Sequence, residues 1–167
     1  MVDINDICGH PEPARRSESD SIIMCDLTDS GLPGKWEQLW AKRSGEREYI
    51  LCCIPFFARR IALGDKVLTR PAEGFEPVID SAADVSGNTV YHVIFDERAA
   101  EHDILDRQKE LIRNLGVLRL EYEVFQLGYV AISCPIRSPQ SQELERVLHA
   151  YSLLEWSQFE NTKTTDK

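Results

Sequence analysis

Carboxylates are the most concentrated reactive groups in this chain. Residues 71–125 carry 12 Asp and Glu against 5 Lys and Arg, which accounts for most of the formal net charge of −9. A dense group of carboxylates attracts cationic proteins and speeds their association, whereas it repels nucleic acid and anionic membranes. The same residues are explained more simply as a solvated surface that keeps the protein soluble. The partner-binding interpretation selects seven of them: Asp96, Glu97, Glu101, Asp103, Asp106, Glu121 and Glu123.

Two of these acids stand at a spacing that a β-strand would fix. Glu121 and Glu123 alternate with Tyr122 and Val124. A strand would turn the apolar pair inward and the glutamates outward, about 7 Å apart on one face. We therefore expect these two carboxylates to be the most rigid part of the acidic surface.

Four histidines are the other candidates for chemistry. His10 lies in a polar N-terminal stretch, and His149 lies beside the apolar stripe of a predicted helix. His102 and Asp106 have the spacing of two metal ligands on one helix face, although a solvated helix start explains both residues. His92 lies among apolar neighbours of a predicted strand, which is typical of a core histidine. The alternative is a ligand-binding or catalytic pocket near His92, between the two halves of the chain, to which Asp96 and the cysteines would contribute.

Catalytic and cofactor signatures are absent from the sequence. There is no Gly-x-Gly-x-x-Gly, phosphate-loop, Gly-x-Ser-x-Gly or His-Glu-x-x-His pattern. The five cysteines are odd in number and scattered, which suits neither a disulfide framework nor zinc-ligand spacing, so we expect reduced, largely buried thiols. We expect no cofactor, no metal and no enzymatic activity. The five thiols are those of Cys8, Cys25, Cys52, Cys53 and Cys134.

The ends of the chain are predicted to lie outside the folded domain. Residues 1–20 combine prolines and charges without an apolar period, and they are predicted to be a disordered tail. Residues 161–167 are predicted to be a polar tail, which leaves one α+β domain over residues 21–160. No apolar run reaches the roughly 20 residues of a membrane span, and the N-terminus lacks the pattern of a signal peptide. A cytoplasmic protein is expected.

The domain is predicted to have two lobes that differ in the type and order of their secondary-structure elements. Residues 21–82 contain short strands and tight turns, including a hairpin around Ser44-Gly45 and a helical turn at Phe56–Ile61, which predicts a small bent antiparallel sheet or partial barrel. Residues 88–160 follow the order β-α-β-β-α of a ferredoxin-like half-sandwich. The first two elements are a strand at Thr89–Phe95 and a helix at Glu101–Leu115 that Gly116 ends. A hairpin of Val117–Val124 with Leu127–Cys134 follows. The final helix begins at Ser138-Pro139 and runs past Leu154 and Trp156 toward Phe159.

Three short segments resemble a known family. They are Glu37-Gln38-Leu39-Trp40-Ala41 with Tyr49, Ile54-Pro55-Phe56-Phe57-Ala58, and Leu63-Gly64-Asp65-Lys66-Val67. Their order and spacing resemble the bacterial domain of unknown function 4265 family over residues 21–135. The family brings no catalytic residues, and its shared residues are interpreted as a scaffold of one packed aromatic, a strand stop and two turns. The residues of this scaffold are Trp40, Pro55, Phe56, Phe57, Gly64 and Asp65.

Small proteins of this kind are similar to the immunity partners of secreted bacterial toxins. The resemblance therefore implies that the chain binds and neutralises a cognate toxin by blocking its active site or substrate surface. The acidic residues favour a basic toxin, which would act on nucleic acid or nucleotides. Direct binding of nucleic acid or of a membrane by this chain is not expected.

Overall fold

The computed structural model of the chain describes residues 6–152 and 157–161. Its strands are β1 (Ile7–Cys8), β2 (Ser21–Asp26), β3 (Trp36–Arg43), β4 (Glu48–Leu51), β5 (Lys66–Arg70), β6 (Val78–Asp84), β7 (Asn88–Phe95), β8 (Glu121–Gln126), β9 (Tyr129–Pro135) and β10 (Ser157–Asn161). Its α-helices are α1 (Glu101–Leu118) and α2 (Pro139–Ser152). Within this described part of the chain, none of the helices combines the length and apolar character that a membrane crossing requires.

Strands β2 to β6 close into a ring, which we call the barrel lobe (residues 21–84). Consecutive strands pair antiparallel, and the ring closes through a parallel contact of Met24 with Val78. The predicted partial barrel is confirmed in the form of a closed ring, with the predicted hairpin between β3 and β4. Alternate side chains point into the ring and form its core, among them Ile23, Leu39, Ala41, Leu51 and Val67.

Residues 88–152 and 157–161 form the second lobe, which we call the ferredoxin-like lobe. Its sheet has the order β10-β7-β9-β8 with every pair antiparallel, so the predicted β-α-β-β-α order is confirmed and extended by one strand. The stripes of α1 and α2 pack on one sheet face, and the shared core includes Val93, Leu111, Leu115, Ile132, Leu144 and Leu148. Strand β10 occupies residues that the sequence assigns to the end of the last helix. Leu154 and Trp156 lie outside the described residues, as do residues 1–5 and 162–167.

The N-terminus of α2 agrees with the sequence prediction, whereas the C-terminus of α1 does not. Ser138 caps α2, since its Oγ accepts the N–H of Ser141 at 3.0 Å, as predicted. Gly116 does not end α1, because glycine costs only about 1 kcal/mol inside a helix. The helix continues to Leu118, and Arg119 ends it in the left-handed conformation with φ 55°. The predicted strand from Val117 therefore begins later, at Glu121.

The lobes meet along a seam that buries the second face of the four-stranded sheet. Residues from the loop after β4 pack against β7 and β9, and the resulting core contains Ile54, Phe56, Ala62, Leu63, Val90 and Ala131. The aromatic rings of Phe56, Phe57, Phe125 and Tyr129 contact one another around this core. The Tyr129 hydroxyl donates to the Phe56 carbonyl at 2.6 Å. Both faces of the sheet are thus covered.

A tight turn ties the barrel lobe to the segment that leads into β7. Gly64 has φ +83°, a conformation that favours glycine, and Asp65 beside it is fully buried. One carboxylate oxygen of Asp65 accepts the Ala62 N–H at 2.8 Å. The other accepts the N–H and hydroxyl of Ser86 at 2.7 and 2.8 Å. The Gly-Asp step therefore works as the scaffold turn that the sequence predicts.

The N-terminal segment is folded against both lobes, so the prediction of a disordered tail over residues 1–20 is wrong for residues 6–20. Strand β1 pairs in parallel with the start of β3, a short 3-10 turn covers Arg16–Glu18, and His10 is only 6% exposed. The segment lacks an apolar period because it is held by hydrogen bonds and charge rather than by an apolar face. We call residues 6–19 the strap.

Candidate partner-binding site

An open cleft lies at one end of the ferredoxin-like lobe, where β7 leads into α1. It has a volume of about 530 Å³. Three of the predicted acids lie on it: Asp96, Glu97 and Glu101. Its apolar lining is contributed by β7, by α1 and by the turn between β8 and β9, namely Phe95, Ala99, Ile104, Leu127 and Tyr129.

The turn between β8 and β9 approaches α1 closely at this cleft. The Gly128 N–H donates to the Gln108 side-chain oxygen at 2.8 Å. A Cβ at position 128 would lie 3.3 Å from the Ile104 side chain, and φ there is +85°, so glycine suits the position. Leu127 is consequently held in a fixed turn and remains 39% exposed. An apolar wall thus stands beside carboxylates.

The acids of this region differ in their electrostatic state. Asp96 accepts hydrogen bonds from the Arg98 guanidinium and backbone N–H, and the ion pair lowers the pKa of Asp96 to about 2. Glu97 and Glu101 are exposed, and Glu101 lies in the first turn of α1, where the helix dipole favours negative charge. Asp96 is therefore already neutralised in part, and Glu97 and Glu101 carry the field of the cleft.

Asp103 and Asp106 do not line the cleft. Both are exposed on α1, with Asp103 on the flank of the buried stripe of Ile104 and Leu111 and Asp106 roughly opposite that stripe. Asp103 is 3.1 Å from the ring of His102. The described residues contain no group of three or more His, Cys, Asp or Glu side chains placed to hold a metal ion, so the spacing of His102 and Asp106 does not build one. These two acids extend the negative surface around α1.

Glu121 and Glu123 do not belong to this surface, and the prediction that Glu123 is an exposed partner-binding residue is wrong. Glu123 is 2% exposed because the face of β8 that carries it packs at the seam. Its carboxylate accepts the N–H groups of Ala14 at 2.9 Å and Ile54 at 2.6 Å. Glu121 lies at the edge of the seam, where it accepts two hydrogen bonds from Arg15, both at 2.8 Å.

A second buried carboxylate, Glu37, lies across the seam from Glu123. It is fully buried on β3 and accepts the backbone N–H groups of Phe56 at 2.6 Å, Phe57 at 3.2 Å and Ala58 at 2.6 Å. These amides turn toward the carboxylate rather than into a helix. The predicted helical turn at Phe56–Ile61 is therefore wrong, and the segment runs as a bent loop.

His10 lies between the two glutamates. Its Nδ1 is 2.5 Å from Glu123 Oε2, and its Nε2 is 3.1 Å from Glu37 Oε1. Burial by itself lowers the pKa of the imidazole, but contacts with Cys53, Glu123 and Glu37 outweigh it and raise the pKa to about 12. The ring also stacks on Phe56, with centroids 4.7 Å apart. His10 is thus an imidazolium that donates from both nitrogens.

This Glu-His-Glu cluster contains residue types that are common in active sites, but its side chains are closed off from solvent. The side chains of His10 and Glu37 are completely buried, and that of Glu123 is 1% exposed. Cys53 beside them is also fully buried, which raises the pKa of its thiol. Every one of these groups makes contacts within the protein. The cluster is a structural element.

The described residues around His92 fill the space beside it and do not form a polar pocket. His92 is 1% exposed, and its Nε2 lies 2.9 Å from the Pro55 carbonyl. The Tyr129 ring packs edge-on against it, with centroids 5.6 Å apart. The core is filled here, as the sequence favours. Asp96 lies at the far end of β7, and the cysteines are distributed over both lobes, so they do not converge on His92.

One sequence signal for the seam is the place of a glutamate in the alternation of buried and exposed residues along a strand. Glu37 has the same phase on β3 as the buried Leu39 and Ala41, whereas Glu123 shares its phase on β8 with the charged Glu121 as well as with Phe125. A charged residue in an apolar phase indicates a buried carboxylate with partners. Nothing in the local sequence around His10 identifies it as that partner, because the contact spans 113 residues.

Comparisons with known proteins give the fold and the family. A solved structure of a hypothetical protein from Neisseria gonorrhoeae superposes with a TM-score of 0.67 at 18% sequence identity. The match covers 85% of this chain and 93% of the Neisseria chain, and at this identity it shows the fold alone. No curated protein matches the sequence. Residues 37–159 match the family described as a domain of unknown function, DUF4265, and the chain belongs to that family.

Proposed function

We propose that the protein is a bacterial immunity protein, which binds and neutralises a cognate toxin in the cytoplasm by blocking its active site or substrate surface. The observation that carries the proposal is the cleft at the start of α1. Exposed carboxylates of Glu97 and Glu101 stand there beside the apolar side chains of Ile104 and Leu127. Mixed lining of this kind suits a lysine or arginine of a partner protein.

A long cationic side chain satisfies both parts of the cleft. Its aliphatic stem packs on the apolar wall while its charged head reaches the carboxylates. An arginine forms two parallel hydrogen bonds with one carboxylate, which fixes its orientation. Such contacts are the type that dominates the binding energy of protein interfaces. The toxin is therefore expected to present a basic loop, as proteins that act on nucleic acid or nucleotides do.

Asp103 and Asp106 would extend the proposed interface beyond the cleft. A stable protein interface buries about 800 Å² on each partner, which is more than one cleft provides. The exposed acids of α1 lie outside the cleft on the same helix and would contribute mainly to the rate of association, since exposed charges steer partners together. Association is then expected to slow as ionic strength rises.

The experiment is a growth assay followed by co-purification. Each neighbouring open reading frame is expressed in a sensitive host with and without this protein. Rescue from the toxicity of one neighbour, with recovery of a stable complex, is the expected result. The double variant Glu97→Lys, Glu101→Lys should lose rescue and slow complex formation.

The matched control carries the same charge change on the barrel lobe. Glu46→Lys, Glu73→Lys replaces two exposed glutamates far from the cleft. The control should rescue growth like the unmodified protein. Equal loss in both variants would assign the effect to net charge and contradict the cleft as the site. If no neighbour is toxic and none forms a complex, the immunity proposal is refuted.

A further inference from the structure

The strap is the part of the chain that contacts both lobes at the seam. In the barrel lobe it pairs β1 with β3, and the Arg15 N–H donates to the Cys52 carbonyl at 3.0 Å. The Arg16 guanidinium lies over the Trp40 ring, 3.9 Å from its centroid. In the ferredoxin-like lobe the strap contacts β8 through the Ala14 amide and the Arg15 side chain. The strap therefore crosses the boundary between lobes.

His10 is the buried centre of these contacts. Glu37 comes from the barrel lobe and Glu123 from the ferredoxin-like lobe, and each contacts one nitrogen of the same ring. Two buried negative charges that face each other repel, and the imidazolium is the cation between them. Without this cation, the charges across the seam favour separation of the lobes.

The other ion pairs of the strap are partly exposed. The side chains of Arg15 and Glu121 are 31% and 41% exposed, and the pair formed by Asp6 and Lys35 is similarly open to solvent. Exposed ion pairs of this kind contribute little to stability. His10 is thus the strap side chain that makes buried charged contacts with both lobes, and backbone contacts of β1, Ala14 and Arg15 complete the attachment of the strap.

We propose that the strap is a releasable clasp, in which His10 holds the two lobes together by bridging Glu37 and Glu123. When His10 leaves, the seam opens locally while the core of each lobe persists. The inference rests on the geometry of the seam and is independent of the proposed immunity function. It makes the local closure of the seam around Glu37 and Glu123 depend on one residue of the N-terminal segment, while the apolar seam core also joins the lobes.

The test uses two buried cysteines of the protein as reporters. Cys53 belongs to the core of the barrel lobe at the point where His10 contacts it, whereas Cys134 lies in the core between the helices and the four-stranded sheet. Both are 0% exposed. The full chain is incubated with N-ethylmaleimide at neutral pH, and the label at each cysteine is quantified by mass spectrometry. In the His10→Ala variant, Cys53 should react at least tenfold faster than in the unmodified protein, while the rate at Cys134 stays unchanged.

Imidazole provides the specific control. The His10→Ala substitution leaves a ring-sized space between the two carboxylates, which free imidazole fills as a cation. Millimolar imidazole should therefore slow the labelling of Cys53 in this variant. His102→Ala, which removes an exposed histidine, should show neither acceleration nor an imidazole effect. An effect of imidazole on the labelling rate of Cys53 would therefore report on the contacts with Glu37 and Glu123.

Two results would overturn the clasp. If the rates at Cys53 and Cys134 rise together, His10 supports global stability rather than the seam. If neither rate changes, the strap does not hold the lobes. Should His10→Ala fail to fold, His10→Gln is labelled in its place, because glutamine retains a polar side chain that can bond one glutamate but not bridge both. A collapse of this variant as well would show that the strap belongs to the folding core and is not releasable.

Discussion

Replacing Glu37 by glutamine should be among the most destabilising conservative substitutions in this protein. The Glu37 carboxylate accepts N–H groups from Phe56, Phe57 and Ala58 and faces the Nε2 of His10. Glutamine has nearly the same shape but only one acceptor oxygen, and its NH₂ group would face N–H donors on the other side. The substitution therefore tests hydrogen bonding and charge with little change in packing.

The expected cost follows from two losses. At least one of the buried amides of Phe56 and Ala58 is left without an acceptor, which costs about 1–3 kcal/mol. The hydrogen bond with the charged His10 is lost or weakened, and such bonds contribute about 1.5–3 kcal/mol. We expect the free energy of unfolding to fall by about 3–6 kcal/mol, a large part of the roughly 5–15 kcal/mol that stabilises a typical domain.

The assay is denaturant unfolding at pH 7, followed by circular dichroism, with Glu46→Gln as the control. Glu46 is exposed on the hairpin between β3 and β4, so its substitution should change stability by no more than about 0.5 kcal/mol. A cost below about 1 kcal/mol for Glu37→Gln would refute the reasoning. It would mean that the loop amides find other acceptors and that the carboxylate does not organise the loop.

Two further predictions concern His10 and the tight turn at Gly64. Since its pKa is raised from 6.5 to about 12, His10 stabilises the fold fully below pH 6.5 and progressively less as the pH rises toward 12. With Glu37, Glu123 and Cys53 around it, the free energy of unfolding should fall by about 1.2 kcal/mol between pH 7 and 8, and His10→Gln should abolish that slope in urea titrations. Gly64→Ala should lower stability by about 1–2 kcal/mol in thermal unfolding, because φ there is +83° and the new Cβ lies 3.1 Å from the Ser86 side chain. Gly74→Ala has a similar φ of +74° but open space around it, so an equal or larger loss there would contradict the contact at position 64.

The architecture of each lobe could be predicted because it is encoded in local patterns. The alternation in β3 and the Ser44-Gly45 turn specify a hairpin, and the stripes of α1 and α2 specify helices on one sheet face. The order of elements then restricts the topology. Strand β10 was missed because the stripe of α2 continues by sequence spacing beyond the residue at which the helix ends.

The seam could not be predicted because its contacts join distant parts of the chain by charge. Glu123 looks like an outward residue of an amphipathic strand when only β8 is considered. Strand β7 contains the correcting signal, since Val90 and His92 are buried on the face opposite Val93 and both faces therefore need a cover. The cleft was predicted only as a cluster of acids, and its apolar wall depends on the packing of the hairpin turn against α1.

The bridge of His10, Glu37 and Glu123 has a consequence for how relatives of this chain can change. Substitution of any one of the three residues should destabilise the protein, since it leaves the charge of the other two buried without compensation. Removal of all three in favour of apolar residues is physically permitted, because well-packed apolar groups replace buried ion networks at little cost. Natural sequences with this fold should consequently carry the trio complete or lack it entirely, so the N-terminal histidine and the two glutamates are expected to be inherited as one unit.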